Sequence, residues 1–250
     1  MPRIEQPPAS VQGLTGLHLY QFPGSNCSQR VRLTLEEKGL AWTAHTLDAA
    51  AHEHLQPDYA AINPNRVVPT LVHDGAVHVE SADIIQYLDA AFPDPPLMPA
   101  DREAQDRCRR LIAAAAAFQD VIKTLSYHLV FRGKRTVTPD DLKLFERVGL
   151  DAARIAFMRD YADGGAAWQA RATAAEAAAQ TSLDQLNRIL GSQSWLSGSA
   201  YGLADIAWVV NVERLKLCRI AFDPFPHVAA WHAAIAGRPG YVRAVSDYRG

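Results

Sequence analysis

Apolar positions change period along the chain, and each change marks an element. Residues 17–22 form a short apolar run that predicts a strand. The stretch 23–32, PGSNCSQRVR, breaks it, and Val31, Thr34, Leu35 and Lys38 then trace one side of a helix over 31–39 that Gly39 closes. Residues 41–47 read as a second strand, so the three elements make a βαβ unit with a parallel pair and a right-handed crossover. A short helix is predicted over 52–61 and a turn at Asn63-Pro64-Asn65. Two strands follow, over 67–72 and 76–79, joined by His73-Asp74-Gly75, a strong hairpin signal. Glu80-Ser81 opens a helix with Ile84, Ile85, Leu88 and Phe92 on one face.

Beyond 92 the pattern is helical throughout. Four prolines in 92–100 mark a linker over 93–102, after which Leu111, Ala115, Phe118, Ile122, Leu125 and Leu129 predict one long amphipathic helix that Cys108 extends. Gly133 interrupts it, and Thr138-Pro139-Asp140-Asp141 restarts a helix with a cap, a proline in the first turn and two carboxylates on the dipole. Helical stretches to 161, over 166–190 and over 201–220 follow, then one from Pro226 through Ile235, and a tail over the N-terminal half. Residues 1–16, with three prolines and two glycines, read as a loose arm. The domains expected are an arm (1–16), an α/β domain (17–92), the linker (93–102) and an all-helical domain (103–250).

Composition narrows the function class. A 48% hydrophobic and 21% charged chain of 250 residues is ordinary for a globular protein and can bury a sizeable core. A net charge of -2 carries no footprint for nucleic acid or an acidic membrane surface. Cys27, Cys108 and Cys218 are odd in number and far apart, which suits a reducing cytoplasm, and no run of apolar residues is long enough for a signal peptide or a membrane span. His45, His52 and His54 lack the further ligands that a metal site needs, so no metal is expected.

Candidate chemistry centres on 23–32. A strand that breaks at Pro-Gly and re-enters as a helix aims its first amide N–H groups at whatever lies above the break. Ser25, Asn26, Cys27 and Ser28 are small polar residues suited to that position, and the dipole there favours an anionic sulfur, either that of Cys27 or that of a bound thiol. Read alone, Cys27 also fits a small buried hydrophobe, and Ser-Asn a plain cap. Glu80-Ser81 makes a second helix start of the same kind. Pro69 inside a strand run would cost a ladder hydrogen bond, and a cis Val68-Pro69 bond would explain it.

Together, SNCSQRVRL, NPNRVVPTL, HDG and ESADIIQYL resemble the glutathione transferase family, in its order and spacing over 17–92. The resemblance implies a thioredoxin-like N-terminal domain, an all-α C-terminal domain, glutathione as cosubstrate and a homodimer. It implies that the Val68 backbone pairs with the cysteinyl part of glutathione across cis Pro69, that Glu80 and Ser81 hold the γ-glutamyl end, and that His54 lies near the glycyl end. The sulfur would be met by Ser25, Asn26 or Cys27. Tyr20 stands too early to act as the tyrosine of tyrosine-type members. Aligned by SxCSxRVR, the stretch is similar to the zeta class; aligned by PGxNxxxxxxxTLxEKGL, it is similar to bacterial β-etherases, and that match fits the length better. Tyr127, His128 and Phe131 fall where a second-substrate pocket is expected, with ordinary interdomain packing as the other role. The implied activity is attack of the glutathione thiolate on an electrophilic aromatic compound, with β-aryl ether cleavage as one form. A zeta-like isomerase, a cysteine-type thiol transferase or lyase, and a non-catalytic binding module are the alternatives.

Overall fold

The computed structural model describes residues 3–248. Its N-terminal half is built on β2 (Leu17–Gln21), which pairs in parallel with β3 (Thr43–Thr46), from His18 opposite Thr43 to Gln21 opposite Thr46. On its other side β4 (Thr70–His73) runs antiparallel to β2, and β5 (Ala76–His78) antiparallel to β4. Asp74 and Gly75 both adopt positive φ, 48° and 77°, as a tight two-residue hairpin requires. Strand alternation then sorts the side chains. Leu17, Leu19 and Leu71 face α2 (Asn26–Glu37) and α4 (Ser81–Ala91), burying Val31, Leu33, Leu35, Ile84, Ile85 and Leu88 with them. Val72 and Val77 face the other way, toward α3 (Pro57–Ile62).

The first residues are not loose. β1 (Arg3–Ile4) pairs antiparallel with β5 at the sheet edge, and α1 (Ala9–Gln12) buries Val11 completely against Tyr59, Ile62, Val72 and Val77. The prolines here shape turns between short docked pieces. Met1 and Pro2 of the expected arm lie outside the described residues.

α2 begins at Asn26, earlier than its apolar period suggests, because its first turn carries polar residues. Ser25 is extended (φ -78°, ψ 122°), and its Oγ accepts the Ser28 N–H at 3.3 Å.

In the helical half, the single helix expected over 104–129 is interrupted. α5 (Arg102–Ala117) ends at Phe118, whose ring turns in against Trp208, and α6 (Gln119–Leu125) continues into a widened π turn, Ser126–Val130. Apolar spacings of three and four persist across so small a break, so periodicity cannot register it. The stretch to 161 is likewise two helices: α7 (Pro139–Arg147), capped reciprocally by Thr138 and Asp141, and α8 (Ala152–Asp163), separated at Gly149 (φ 74°). The long α9 (Ala166–Leu190) buries Trp168, Ala172, Ala175, Ala179, Leu183, Leu186 and Leu190 on one face.

α10 (Leu203–Leu217) is buried nearly all round, so that one core runs through both halves. Asp205 organises its start. One carboxylate oxygen accepts from the Leu196 N–H (2.7 Å) and the Trp231 indole (2.8 Å), the other from Ser197 N–H (3.1 Å) and Gly202 N–H (3.0 Å). The cap that a Ser or Thr at 202 would give comes from Ser197, whose Oγ accepts the Ala204 N–H at 3.1 Å. Gly202 is needed because a Cβ there would stand 2.2 Å from the Leu97 carbonyl oxygen.

α11 (Pro226–Ala236) leads to α12 (Pro239–Tyr241) and a π turn, Val242–Ser246, which lie on α2. Buried Arg32 holds this tail: Nε donates to the Ala244 carbonyl at 2.9 Å, Nη2 to the Pro23 carbonyl at 2.9 Å, Nη1 to Gln21, and the guanidinium lies 3.9 Å from the Tyr248 ring centre. Arg238 adds a two-pronged ion pair with Glu37 (3.0 and 2.6 Å). Arg249 and Gly250 of the expected tail lie outside the described residues.

Candidate active site

The three candidates at the start of α2 differ in what they are free to do. Asn26 is 4% exposed and its amide is fully engaged: Nδ2 donates to Gln119 Oε1 and Asn211 Oδ1, both at 2.9 Å, and Oδ1 accepts from Gln119 Nε2 at 3.3 Å. It latches α2 to α6 and α10. Ser25 and Cys27 are half-buried, with Ser25 Oγ still able to donate its hydrogen. Ser28, the remaining polar residue, is fully buried and its hydroxyl has no partner among the described residues.

Two guanidiniums flank Cys27. Arg30 is 1% exposed and meets only neutral acceptors: Ser81 Oγ at 2.8 Å, the Ala207 carbonyl at 3.1 and 3.3 Å, and Asn211 Oδ1 at 3.4 Å. Burial pulls its pKa down, and proximity to the Cys27 sulfur acts the other way. Arg214 donates to the Gly24 carbonyl, and its buried Nε has no partner among the described residues. Positive charge is therefore gathered behind the first turn of α2, and Glu213, the carboxylate that acts on Arg214, is itself bonded to His232 and Tyr241.

The bond from Arg30 to Ser81 sets the starts of α2 and α4 side by side. Ser81 opens α4 and is 7% exposed, while Glu80 before it is exposed, with φ 65° and ψ 107°. A non-glycine residue in this region costs on the order of 1–3 kcal/mol and persists only where its surroundings demand it. Here the Glu80 carbonyl accepts from Asp83 and Ile84 N–H, both at 2.9 Å. The Val68-Pro69 bond is cis. No hydrogen bond of the Val68 backbone is formed among the described residues, whereas the Val67 carbonyl is held by Tyr59 Oη (2.6 Å) and Asn63 Nδ2 (2.9 Å).

His54 lies edge-on to Phe22, ring centres 5.2 Å apart, with Nδ1 buried and unpaired among the described residues. Burial lowers its pKa to about 4, assisted by His52, Arg154 and Arg135, so the ring is neutral at pH 7. Nearby, His52 meets Asp141 of α7 at 3.3 Å, and Arg154 of α8 donates to the Asn65 carbonyl at 2.7 Å. The helices α7 and α8 thus close over the loop that precedes Val68.

These observations can be set against known proteins. A family model for the glutathione S-transferase N-terminal domain matches residues 19–96, and one for the C-terminal domain matches residues 166–234. This chain belongs to the glutathione S-transferase family. Its structure is similar to that of the β-etherase LigF from Sphingobium sp. strain SYK-6, with a TM-score of 0.83 and 25% identity over 92% of this chain and 98% of that one. It is also similar to the theta class glutathione S-transferase of Xanthomonas axonopodis pv. citri, solved with glutathione bound, with a TM-score of 0.73 and 25% identity over 93% and 98% of the two chains. Glutathione S-transferase 1 of Dianthus caryophyllus is 42% identical over 34% of this chain, and the alignment spans only 38% of that relative's length. The expected thioredoxin-like domain and all-helical domain are both present in this family member.

In this transferase fold, Arg30 of α2 bonds Ser81 at the start of α4, and the pairing of Tyr20 with Thr70 sets the residue after Pro69 beside the end of β2. Tyr127, His128 and Phe131, the residues expected at a second-substrate pocket, are engaged with the aromatic side chains of α8 and α9. Tyr127 is 8% exposed and packs edge-on to Phe131, Phe157 and Tyr161 at 5.6, 5.3 and 4.9 Å, while Trp168 Nε1 donates to His128 Nδ1 at 3.2 Å. They anchor α8 and α9 to the π turn, an aromatic demand that no local pattern reveals. A cavity of about 750 Å³ lies beside the linker at Pro96, and one of about 620 Å³ is lined by Leu129 and Val130 of the π turn together with Cys218 and Ile220. Sequence reasoning overlooked Gln119, Asn211 and Arg214. The last two had a signal, since Asn and Arg inside an otherwise apolar helix need buried partners.

Among the described residues, no group of three or more His, Cys, Asp and Glu could hold a metal ion, and no helix is long and apolar enough to cross a membrane.

Proposed function

We propose that this protein is a glutathione-dependent transferase whose bound glutathione attacks an electrophilic aromatic compound, with β-aryl ether cleavage as one such reaction. The observation that carries this is the buried Arg30, whose bond to Ser81 ties α2 to the start of α4. Helix N-termini favour anions, so one start suits a thiolate and the other an α-carboxylate. In this reading the Val68 backbone pairs with the cysteinyl unit, Glu80 and Ser81 take the γ-glutamyl end, and His54 lies toward the glycyl end. Ser25 donates its hydroxyl to the sulfur, and Asn26 positions α2 through Gln119 and Asn211. The thiol gives its proton to water, the thiolate forms a C–S bond, and the C–O bond breaks with its electron pair leaving on the aryloxide. The structural likeness to a β-etherase favours an ether substrate. A cytoplasmic homodimer is the expected setting.

A second reading rests on Cys27, which is half-exposed beside Arg30 and Arg214. There the Cys27 thiolate attacks the glutathione sulfur of a conjugate, forming a Cys27–glutathione disulfide as the C–S electron pair leaves on carbon, which takes a proton from water; in the zeta-like alternative glutathione adds to a double bond and is expelled again. Mass spectrometry after incubation with oxidised glutathione separates the two. One adduct on the wild type and none on Cys27→Ser favours the cysteine reading. No adduct, together with thermal stabilisation by reduced glutathione and a loss of turnover of about tenfold or more in Ser25→Ala, favours attack by bound glutathione. Absence of any stabilisation by glutathione would remove both.

A further inference from the structure

Helices α7 and α8 lie between the stretches that the two family models match, 19–96 and 166–234, so neither model accounts for what they touch. Both reach the connection between β3 and β4. From α7, Asp141 presents one carboxylate oxygen to His52 Nε2 at 3.3 Å, and Phe145 meets the His52 ring edge-on, centres 5.9 Å apart. The other oxygen of Asp141 is fixed by the Thr138 N–H and hydroxyl, both at 2.8 Å, which holds the carboxyl below its usual range. From α8, Arg154 donates to the Asn65 carbonyl at 2.7 Å and to the Arg66 carbonyl at 3.4 Å.

Both contacts fall where the loop backbone is unfavourable. His52 and Arg66 each have φ 54°, a left-handed conformation uncommon for residues other than glycine. Arg66 Nη1 also donates to the Leu55 carbonyl at 2.6 Å, so the two touched segments are tied to each other. The first segment runs into the 3₁₀ turn Glu53–Leu55, which carries His54, and the second leads to Val68. Behind them α8 is rigid, because Phe157 and Tyr161 pack with Tyr127 and Trp168, and Tyr161 Oη donates to the Arg135 carbonyl at 2.6 Å. A backbone conformation that is poor by itself persists only while its surroundings hold it.

Resting on the transferase reading above, we infer that α7 and α8 act on the glutathione side of the site, with Asp141 and Arg154 as positioning residues that hold the segments bearing His54 and Val68. His52, bonded to Asp141, sets the glycyl half, and Arg154 sets the approach to the cysteinyl half. A loop released from either contact is competent for a smaller fraction of the time, and the apparent affinity for glutathione falls by that fraction.

The test is calorimetric titration of the wild type, Arg154→Met and His52→Asn with glutathione and with γ-glutamylcysteine, which lacks the glycyl unit. Methionine keeps an apolar stem without the donors, and asparagine tolerates the left-handed backbone but loses the ring that meets Asp141 and Phe145. Arg154→Met should raise the Kd of both ligands about fivefold or more, as loss of a charged donor implies. His52→Asn should raise the Kd of glutathione about threefold or more and leave that of γ-glutamylcysteine unchanged, a split that a general loss of stability would not produce. Arg159→Met removes only a bond to Glu146 between α7 and α8, at 3.1 Å, and should change neither Kd. Glutathione affinity unmoved in Arg154→Met and His52→Asn, or lowered equally in Arg159→Met, overturns the inference while leaving glutathione transfer intact. Amide exchange decides without a ligand. The N–H groups of Glu53, Leu55 and Arg66 are bonded to Asp48, His52 and Asn63 carbonyls at 3.0, 2.8 and 2.9 Å, and should exchange about tenfold faster in both loop-contact variants at an unchanged melting temperature. If the wild type binds no glutathione, that faster exchange upholds the hold of α7 and α8 on the loop although the transferase reading fails. Unchanged exchange overturns the inference.

Discussion

Asp205→Ala should be among the most damaging single changes in this chain. The carboxylate accepts four hydrogen bonds, from Leu196, Ser197 and Gly202 N–H and from the Trp231 indole, at 2.7–3.1 Å. It is wholly buried, so water does not replace it without entering the core. Each hydrogen bond to a charged group contributes roughly 1.5–3 kcal/mol, and each donor left unpaired costs roughly 1–3 kcal/mol. The bonds share one carboxylate and so do not add, and removing one member of a buried charged network costs about 3–5 kcal/mol. About 4 kcal/mol is therefore expected, a large part of the roughly 5–15 kcal/mol of a typical fold. Asp205→Asn keeps acceptor oxygen toward Leu196 and Trp231 but turns an NH2 toward two N–H donors, so about 2–3 kcal/mol is expected. Urea unfolding followed by tryptophan fluorescence reads both, as a fall in midpoint at constant slope. A loss below about 1 kcal/mol for Asp205→Ala, with the slope unchanged, would refute the assignment of Asp205 as the knot between α10, α11 and the preceding loop.

Gly202→Ser restores the Ser-Asp capping pattern by sequence, yet it should destabilise by about 2 kcal/mol or more, because its Cβ meets the Leu97 carbonyl at 2.2 Å; a gain in melting temperature would contradict this. Arg32→Met should free the C-terminal tail, raising amide exchange over 242–246 well before global unfolding, since three hydrogen bonds and the stacking on Tyr248 are lost together. Stability should fall as pH drops from about 6.5 to about 4. Burial holds His54 and His78 down at about 4, so their neutral forms favour the folded state, and that stability is full above the unfolded value and lost on acidification. His54→Gln and His78→Gln should each flatten the change in urea midpoint between pH 7 and pH 5.

Local rules were enough for much of this molecule. Periodicity and turn chemistry determined the βαβ unit, the Asp74-Gly75 hairpin, the α4 face and the capped start of α7, because each depends on residues a few positions apart. The run of short motifs over 17–92 determined the family, and with it the candidates Ser25, Cys27, Glu80 and Ser81. Tertiary structure decided what distant residues impose on one another. Val11 is core only because β1 pairs with β5, and the helix after the linker breaks at Phe118 because its ring meets Trp208. Asn26 is an interdomain latch because Gln119 and Asn211 occupy its amide, and Tyr127 is packing because α8 and α9 bring Phe157, Tyr161 and Trp168 to the π turn. The placing of Arg214 of α10 beside the start of α2 is invisible along the chain for the same reason. Charge adds over distance in space, and only the fold sets that distance.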